Sequence, residues 1–195
     1  MNHLPITRDQ AIDLLKSMPQ APSDMNHYLE SEAIMRALAE KFCEDVEYWG
    51  MLGLLHDVDW ALTKNDPSMH CIKAVEILKE KGFDDVFIET VQSHGYGCDQ
   101  IPLLKDKKRD SKIQHCLAAA ETMTGIIYAY ALMRGKKISG MEAKGVKKKF
   151  KDKAFAANCS RDVIREIELA GLTLEDFFVL AIDAVAKIKD QIGLE

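Results

Sequence analysis

The residues best suited to chemistry form a spaced series: His27, then His56 followed directly by Asp57, then His70 and His94, and last Glu121 alone in a long apolar stretch. Five of the six histidines fall where a helix face should be apolar. Neutral imidazole and carboxylate are both good ligands for Mn, Fe, Co, Ni or Zn, so a divalent metal is the commonest reason for such groups to meet in an interior. Glu121 is the only acidic residue between Asp110 and Glu142. An ionised carboxylate buried alone is costly, so it calls for a cation or a proton. Each residue also has an ordinary reading. A histidine on an apolar face can be a hydrogen-bonded core residue, and Glu121 can pair with an arginine or lysine of a neighbouring helix. The conjunction of inward histidines, an adjacent Asp and an isolated Glu is what points to a shared metal site.

The elements that must position these groups read as helices, with no convincing strand alternation. Thr7 and Gln10 form a capping-box pattern opening a helix to about Met18. A second helix is expected from Asp24 to Cys43, with His27 heading a stripe of Ser31, Ile34, Leu38 and Phe42. A third runs from Asp45 to Asp57 through an apolar body. Asp66-Pro67 reads as the start of a fourth that stops at Gly82 and puts His70 on a face with Ala74 and Ile77. A fifth covers Asp84 to His94, with His94 facing inward alongside Phe87 and Val91. The segment from Gly95 to Asp110 is the one long irregular loop, and long loops in compact domains are often functional. Ser111 is expected to cap a helix to about Arg134. After the basic stretch that follows Gly140, two further helices span Ser160–Ala170 and Thr173–Ile192.

A chain of 195 residues fits a single domain over 1–195, with a core at about 24–134 and C-terminal helices at 140–192 packed on it. Hydrophobic and charged contents of 47% and 29% are those of an ordinary globular protein. The net charge of −5 gives no electrostatic reason to expect a nucleic-acid polymer as partner. Five cysteines without C-x-x-C spacing suit free thiols in a reducing cytosol, with Cys71 and Cys116 best taken as core. The N-terminus shows no signal-peptide pattern, and the apolar stretch Ile113–Met133 is interrupted by His115 and Glu121. The expectation is a cytoplasmic protein with no membrane partner.

The segments HDVDW at 56–60, the helix of His70, SHGYG at 93–97, AAETMTGII at 119–127, and KKFKDKAFA followed by Ser160-Arg161-Asp162 together resemble the HD-domain superfamily of metal-dependent phosphohydrolases. The likeness, to a branch of small bacterial or archaeal HD proteins, extends over nearly the whole chain. It implies an all-α bundle with the metal site in its core between helices. It also implies a first metal held by His27, His56, Asp57 and Glu121. His70 and His94 match the extra pair of two-metal relatives, in which the residue corresponding to Asp57 bridges. The cofactor would be one or two divalent ions: Mn, Fe, Co, Ni or Zn, with Mg also open. Such a pair, about 3.5–4 Å apart, would activate water against a phosphate ester, with Asp57 as the catalytic residue positioning the nucleophile. One departure stands out. The last ligand is usually Asp, and Glu121 moves its carboxylate outward by about a bond length.

The substrate implied is a phosphate mono- or diester of a small molecule such as a nucleotide. Lys148, Lys151 and Lys153, with Lys149, form the best basic cluster for it, and Tyr96 is a candidate for stacking on a base. The ordinary reading of these lysines is a solvated helix face or loop. Two other functions fit the same residues. The His70/His94 pair permits a di-iron oxygenase, and Glu121 in place of Asp permits a non-catalytic ligand-binding regulatory module. Oligomeric state has no signature in the sequence.

Overall fold

The computed structural model describes residues 3–195, and among them there is no strand. Helix α1 (Arg8–Lys16) opens on the reciprocal cap expected: Thr7 Oγ1 accepts from the Gln10 N–H and the Gln10 side chain accepts from the Thr7 N–H. Helix α2 (Pro22–Phe42) begins two residues earlier than expected, because Pro22 supplies a preset first turn and Asp24 accepts from the Ala21 N–H. Helix α3 (Val46–Leu55) is capped by Asp45, and His56 is its C-cap residue. A short helix α4 (Trp60–Thr63), not expected from the sequence, follows at once.

The fourth expected helix is two pieces. Pro67–Met69 is a single 3-10 turn, His70 is extended (φ −62°, ψ 142°), and Cys71 is left-handed (φ 63°). Helix α5 (Lys73–Glu80) starts only after that break. His70 therefore does not share a helix face with Ala74 and Ile77. Helix α6 (Asp85–Gln92), capped by Asp84, passes into a 3-10 turn, Ser93–Gly95, that carries His94.

Helix α7 (Lys112–Met133) starts where Ser111 predicted, but the serine side chain makes no capping bond; Gln114 accepts from the Asp110 N–H instead. The basic stretch is a helix, α8 (Ala143–Lys151). Helix α9 (Arg161–Arg165) continues as a 3-10 turn to Glu168, and α10 (Leu174–Lys187) ends short of Ile192.

The main core is built where α2 packs on α3, α7 and α10. Ile34, Met35 and Leu38 of α2 meet Leu52, Leu54 and Leu55 of α3 among fully buried side chains. Each such side chain contributes about 1.5–3 kcal/mol of burial free energy. Gly53 lets α2 and α3 touch backbone to backbone, since a Cβ there would lie 2.6 Å from the Ser31 carbonyl oxygen. That contact sets His27, one turn before Ser31, beside His56, one turn after Gly53. Helix α7 is long and apolar enough to cross a membrane by length and composition, yet its apolar residues are packed against α2, α8 and α9. A smaller cluster of Cys71, Tyr96, Ile101 and Leu104 lies under the loop before α7.

Candidate metal centre

Four histidines arrive from four places: the start of α2, the end of α3, the break before α5, and the turn after α6. Three of those places are helix ends or breaks, where the backbone can aim a side chain out of the helical path. His27 Nε2 lies 3.0 Å from His56 Nε2, and His70 Nε2 lies 3.1 Å from His94 Nε2. Asp57 stands between the pairs. Its Oδ1 is 3.5, 3.3 and 3.1 Å from the Nε2 atoms of His56, His70 and His94, and its Oδ2 is 3.6 Å from His27 Nε2.

The second nitrogen of every ring is already committed. His56 Nδ1 donates to the Gly53 carbonyl at 2.8 Å and His94 Nδ1 to the Val91 carbonyl at 2.6 Å. Carbonyls only accept, so these protons sit on Nδ1. The Thr124 hydroxyl gives its proton to the Glu121 carbonyl, which leaves its oxygen to accept from His27 Nδ1 at 2.8 Å. His70 Nδ1 donates to Asp59 Oδ1 at 3.0 Å. In neutral imidazoles all four Nε2 atoms then carry lone pairs, and all four face one carboxylate. Lone pairs at these separations repel unless a cation lies among them. Ligands about 2.0–2.1 Å from one ion stand roughly 3–3.5 Å apart, so the donor set fits a divalent transition metal.

Electrostatics separate the two pairs: His56 is kept neutral, whereas His70 and His94 beside Asp57 attract a positive charge, a proton or a metal ion. Burial pushes the His56 pKa down to about 3, keeping it neutral and ready to ligate. Burial alone would raise the Asp57 pKa, but His56 first and then His70 and His94 hold it well below the usual carboxylate range. Burial also opposes charge on His94, yet Cys71 and Asp57 hold its pKa well above the ordinary value.

Ligand atoms lie within 4.8 Å of one another in two triplets, His27–His56–Asp57 and His70–Cys71–His94. Glu121 completes neither. It faces the same cleft as His27 and His94, half-buried, with one carboxylate oxygen accepting from the Thr122 hydroxyl. Burial raises its pKa, against the pull of His94 and His27. Cys71 is a buried core thiol as expected, in the cluster with Tyr96, Ile101 and Leu104, and its Sγ also lies 3.5 Å from His94 Nε2.

A cleft of about 450 Å³ opens beside His27, His94 and Glu121, walled by Thr122 and Gly125 of α7 and by Asn158, Cys159 and Ser160. Arg161 holds that second wall, donating to the carbonyls of Phe150, Asp152, Phe155, Ala156 and Cys159. Among the described residues, no lysine or arginine lines the cleft. Lys148, Lys151 and Lys153 are exposed elsewhere: Val146 and Phe150 bury the inner face of α8, Phe150 against Phe178, and the lysines project outward. Tyr96 borders the cleft but is only 6% exposed, with Lys107 Nζ 5.1 Å from its ring centroid, so no open face is left for a base to stack on.

Three residues that serve the centre were not singled out from sequence: Asp59, Thr124 and Arg109. Asp59 sits inside HDVDW, two residues past Asp57 in apolar surroundings, and that context was the available signal. Arg109 donates to the Ser93 and Tyr96 carbonyls around His94 and forks onto Glu166, a pairing 57 residues apart that no local pattern shows.

The family model described as HD domain matches residues 25–125, just over half of the chain and the segment that carries every residue of the centre. Two curated relatives are the proteins called Ribonuclease Y of Mycoplasma mycoides subsp. mycoides SC and of Mycoplasma capricolum subsp. capricolum. Each is 28% identical over 98 residues, 50% of this chain and 18% of the relative. The chain thus spans less than a fifth of the length of the curated relatives it matches. No solved structure matches. The metal-ready centre lies inside the matched segment, and the chain belongs to the HD-domain family of metal-dependent phosphohydrolases.

Proposed function

We propose that the chain hydrolyses a phosphate mono- or diester of a small molecule, such as a nucleotide, at a two-position metal centre. His27, His56 and Asp57 would hold one ion with Glu121 on its cleft side, and His70, His94 and Asp57 the other. The observation that carries this reading is the convergence of four histidine Nε2 atoms on Asp57. A divalent ion there supplies a Lewis acid for a phosphoryl oxygen and lowers the pKa of a water toward neutrality.

The chain's own residues do the rest. Thr122, Asn158 and Ser160 put neutral hydroxyl and amide groups on the cleft walls to orient the ester. With no lysine or arginine among the described residues of those walls, phosphate charge is met at the centre, which favours a small ester over a polymer. Asp57, tied on both sides by imidazoles, fixes the spacing of the two positions. The relatives' name denotes ribonucleases, which puts phosphodiesters first among the esters to try.

Metal analysis of the protein as isolated, then release of phosphate from monoesters and of the alcohol and monoester from diesters, with added Mn, Ni, Co, Zn or Mg, tests the reading. Asp57→Ala should lose metal and turnover together; full metal content in that variant would overturn the ligand assignment. The His70–His94 pair also suits the di-iron oxygenase reading. A mixed-valence electron paramagnetic resonance signal after aerobic purification with iron, without ester hydrolysis, would favour it instead.

A further inference from the structure

We propose that Cys71 supplies a thiolate ligand to the second metal position, alongside His70, His94 and Asp57, and so makes that position selective for thiophilic ions such as zinc, cobalt or iron(II) over magnesium. The inference rests on the two-position reading above and concerns only what fills its second half.

Distances argue first. On a tetrahedral ion with a metal–sulfur bond of about 2.3 Å and metal–nitrogen bonds of about 2.0–2.1 Å, sulfur and nitrogen lie about 3.6 Å apart and two nitrogens about 3.3 Å. The separations here are 3.5 Å from Cys71 Sγ to His94 Nε2 and 3.1 Å from His70 Nε2 to His94 Nε2. Asp57 Oδ1 stands 3.3 and 3.1 Å from those nitrogens. Together these are four of the six edges of a four-donor figure, and His70, Cys71 and His94 have ligand atoms within 4.8 Å of one another.

The backbone argues second. Cys71 sits at φ 63°, in the left-handed region that non-glycine residues rarely adopt. Its carbonyl is held there by the Gln92 side chain at 3.1 Å, and its side chain is fully buried. Space argues third. A Cβ on Gly95 would come within 2.7 Å of Cys71 Sγ, so the residue after His94 leaves room for the sulfur. A thiol proton donated to His94 Nε2 would also span 3.5 Å, but it would put no sulfur on a metal.

The apo protein titrated with Co(II) separates the two. A sulfur-to-cobalt charge-transfer band in the near ultraviolet should grow with the second equivalent. Cys71→Ala and Cys71→Gly should abolish the band and bind the second cobalt at least ten-fold more weakly, with the first unchanged. The glycine variant accepts φ 63° without strain, so misfolding does not obscure the result. Cys98→Ser, at another thiol bordering the cleft, should keep the band. Two bound cobalts without a band, a band that survives in Cys71→Gly, or a band lost in Cys98→Ser overturns the thiolate while leaving the metal centre standing. No bound cobalt at all overturns both.

Discussion

His70 meets the centre through a nitrogen whose availability is decided by Asp59. Asp59 is fully buried; one oxygen accepts from His70 Nδ1 at 3.0 Å and the other from the Ala74 N–H at 3.0 Å, at the start of α5. The same carboxylate thus fixes the ring's tautomer and anchors the helix that follows. Asp59→Asn keeps the volume but turns one acceptor into a donor facing an N–H. The ring then loses its fixed tautomer, and metal affinity at the second position should fall about 10- to 100-fold, as for outer-shell partners in general. The first position, held by His27 and His56, should be unaffected. Metal titration by calorimetry reads the difference; equal affinities at both positions before and after the change would show that Asp59 orients nothing.

Helices reach the centre only with their ends held, and Arg109 holds one of them. It is nearly buried, donates to the Ser93 and Tyr96 carbonyls at 2.8 and 2.9 Å, and forks onto Glu166 at 2.6 and 2.5 Å. His115 Nδ1 reaches the same carboxylate at 2.8 Å, so α7, the loop before it and the turn after α9 meet at one ion cluster. Arg109→Ala leaves Glu166 partly buried with one partner fewer, at a cost of about 3 kcal/mol. It should also weaken the second metal position by freeing the turn that carries His94. Urea unfolding followed by metal titration checks both effects, and an unchanged midpoint would remove Arg109 from the account. Local signals made much of this architecture legible. Thr7, Asp45, Asp84 and Thr173 mark their helix starts because an N-cap is a contact across three residues. The break at His70–Cys71 was not legible, because the apolar spacing after Pro67 is that of a continuous helix, whereas the bonds spanning the break run from His70 Nδ1 and the Ala74 N–H to Asp59, 11 and 15 positions back in the chain. Helix α8 was hidden by its lysines, although Val146 and Phe150 stand four residues apart on one face. Of the centre, the histidines and Asp57 were visible as residue types, whereas the neighbours that fix their protons lie up to 97 positions away in the chain.

The molecule as a whole carries opposed acid–base pressures, which should give it a stability maximum at mildly acidic pH. Burial would raise the Glu166 pKa, but Arg109 and His115 hold it below the ordinary value, so its contribution is present above that ordinary value and is lost as pH falls through the folded one. Glu30 acts in the other direction. It is 2% exposed on α2, one carboxylate oxygen has no partner among the described residues, and burial pushes its pKa up to about 8. Below the ordinary carboxylate value both folded and unfolded chains hold its proton, and nothing is lost. As pH rises from there the unfolded chain ionises while the folded one keeps its proton, so stability falls until about pH 8, where the full penalty is reached. That penalty is on the order of 5 kcal/mol, a tenfold change in proton affinity being worth about 1.4 kcal/mol. Glu30→Gln cannot ionise, so between about pH 5 and pH 8 its unfolding free energy should decline less steeply than that of the parent, the histidines of the centre adding the same slope to both, and the variant should be the more stable of the two at the alkaline end. Urea melts across that range measure the two slopes. Parallel slopes would mean that Glu30 is ionised in the folded chain and has a partner or a water channel of its own.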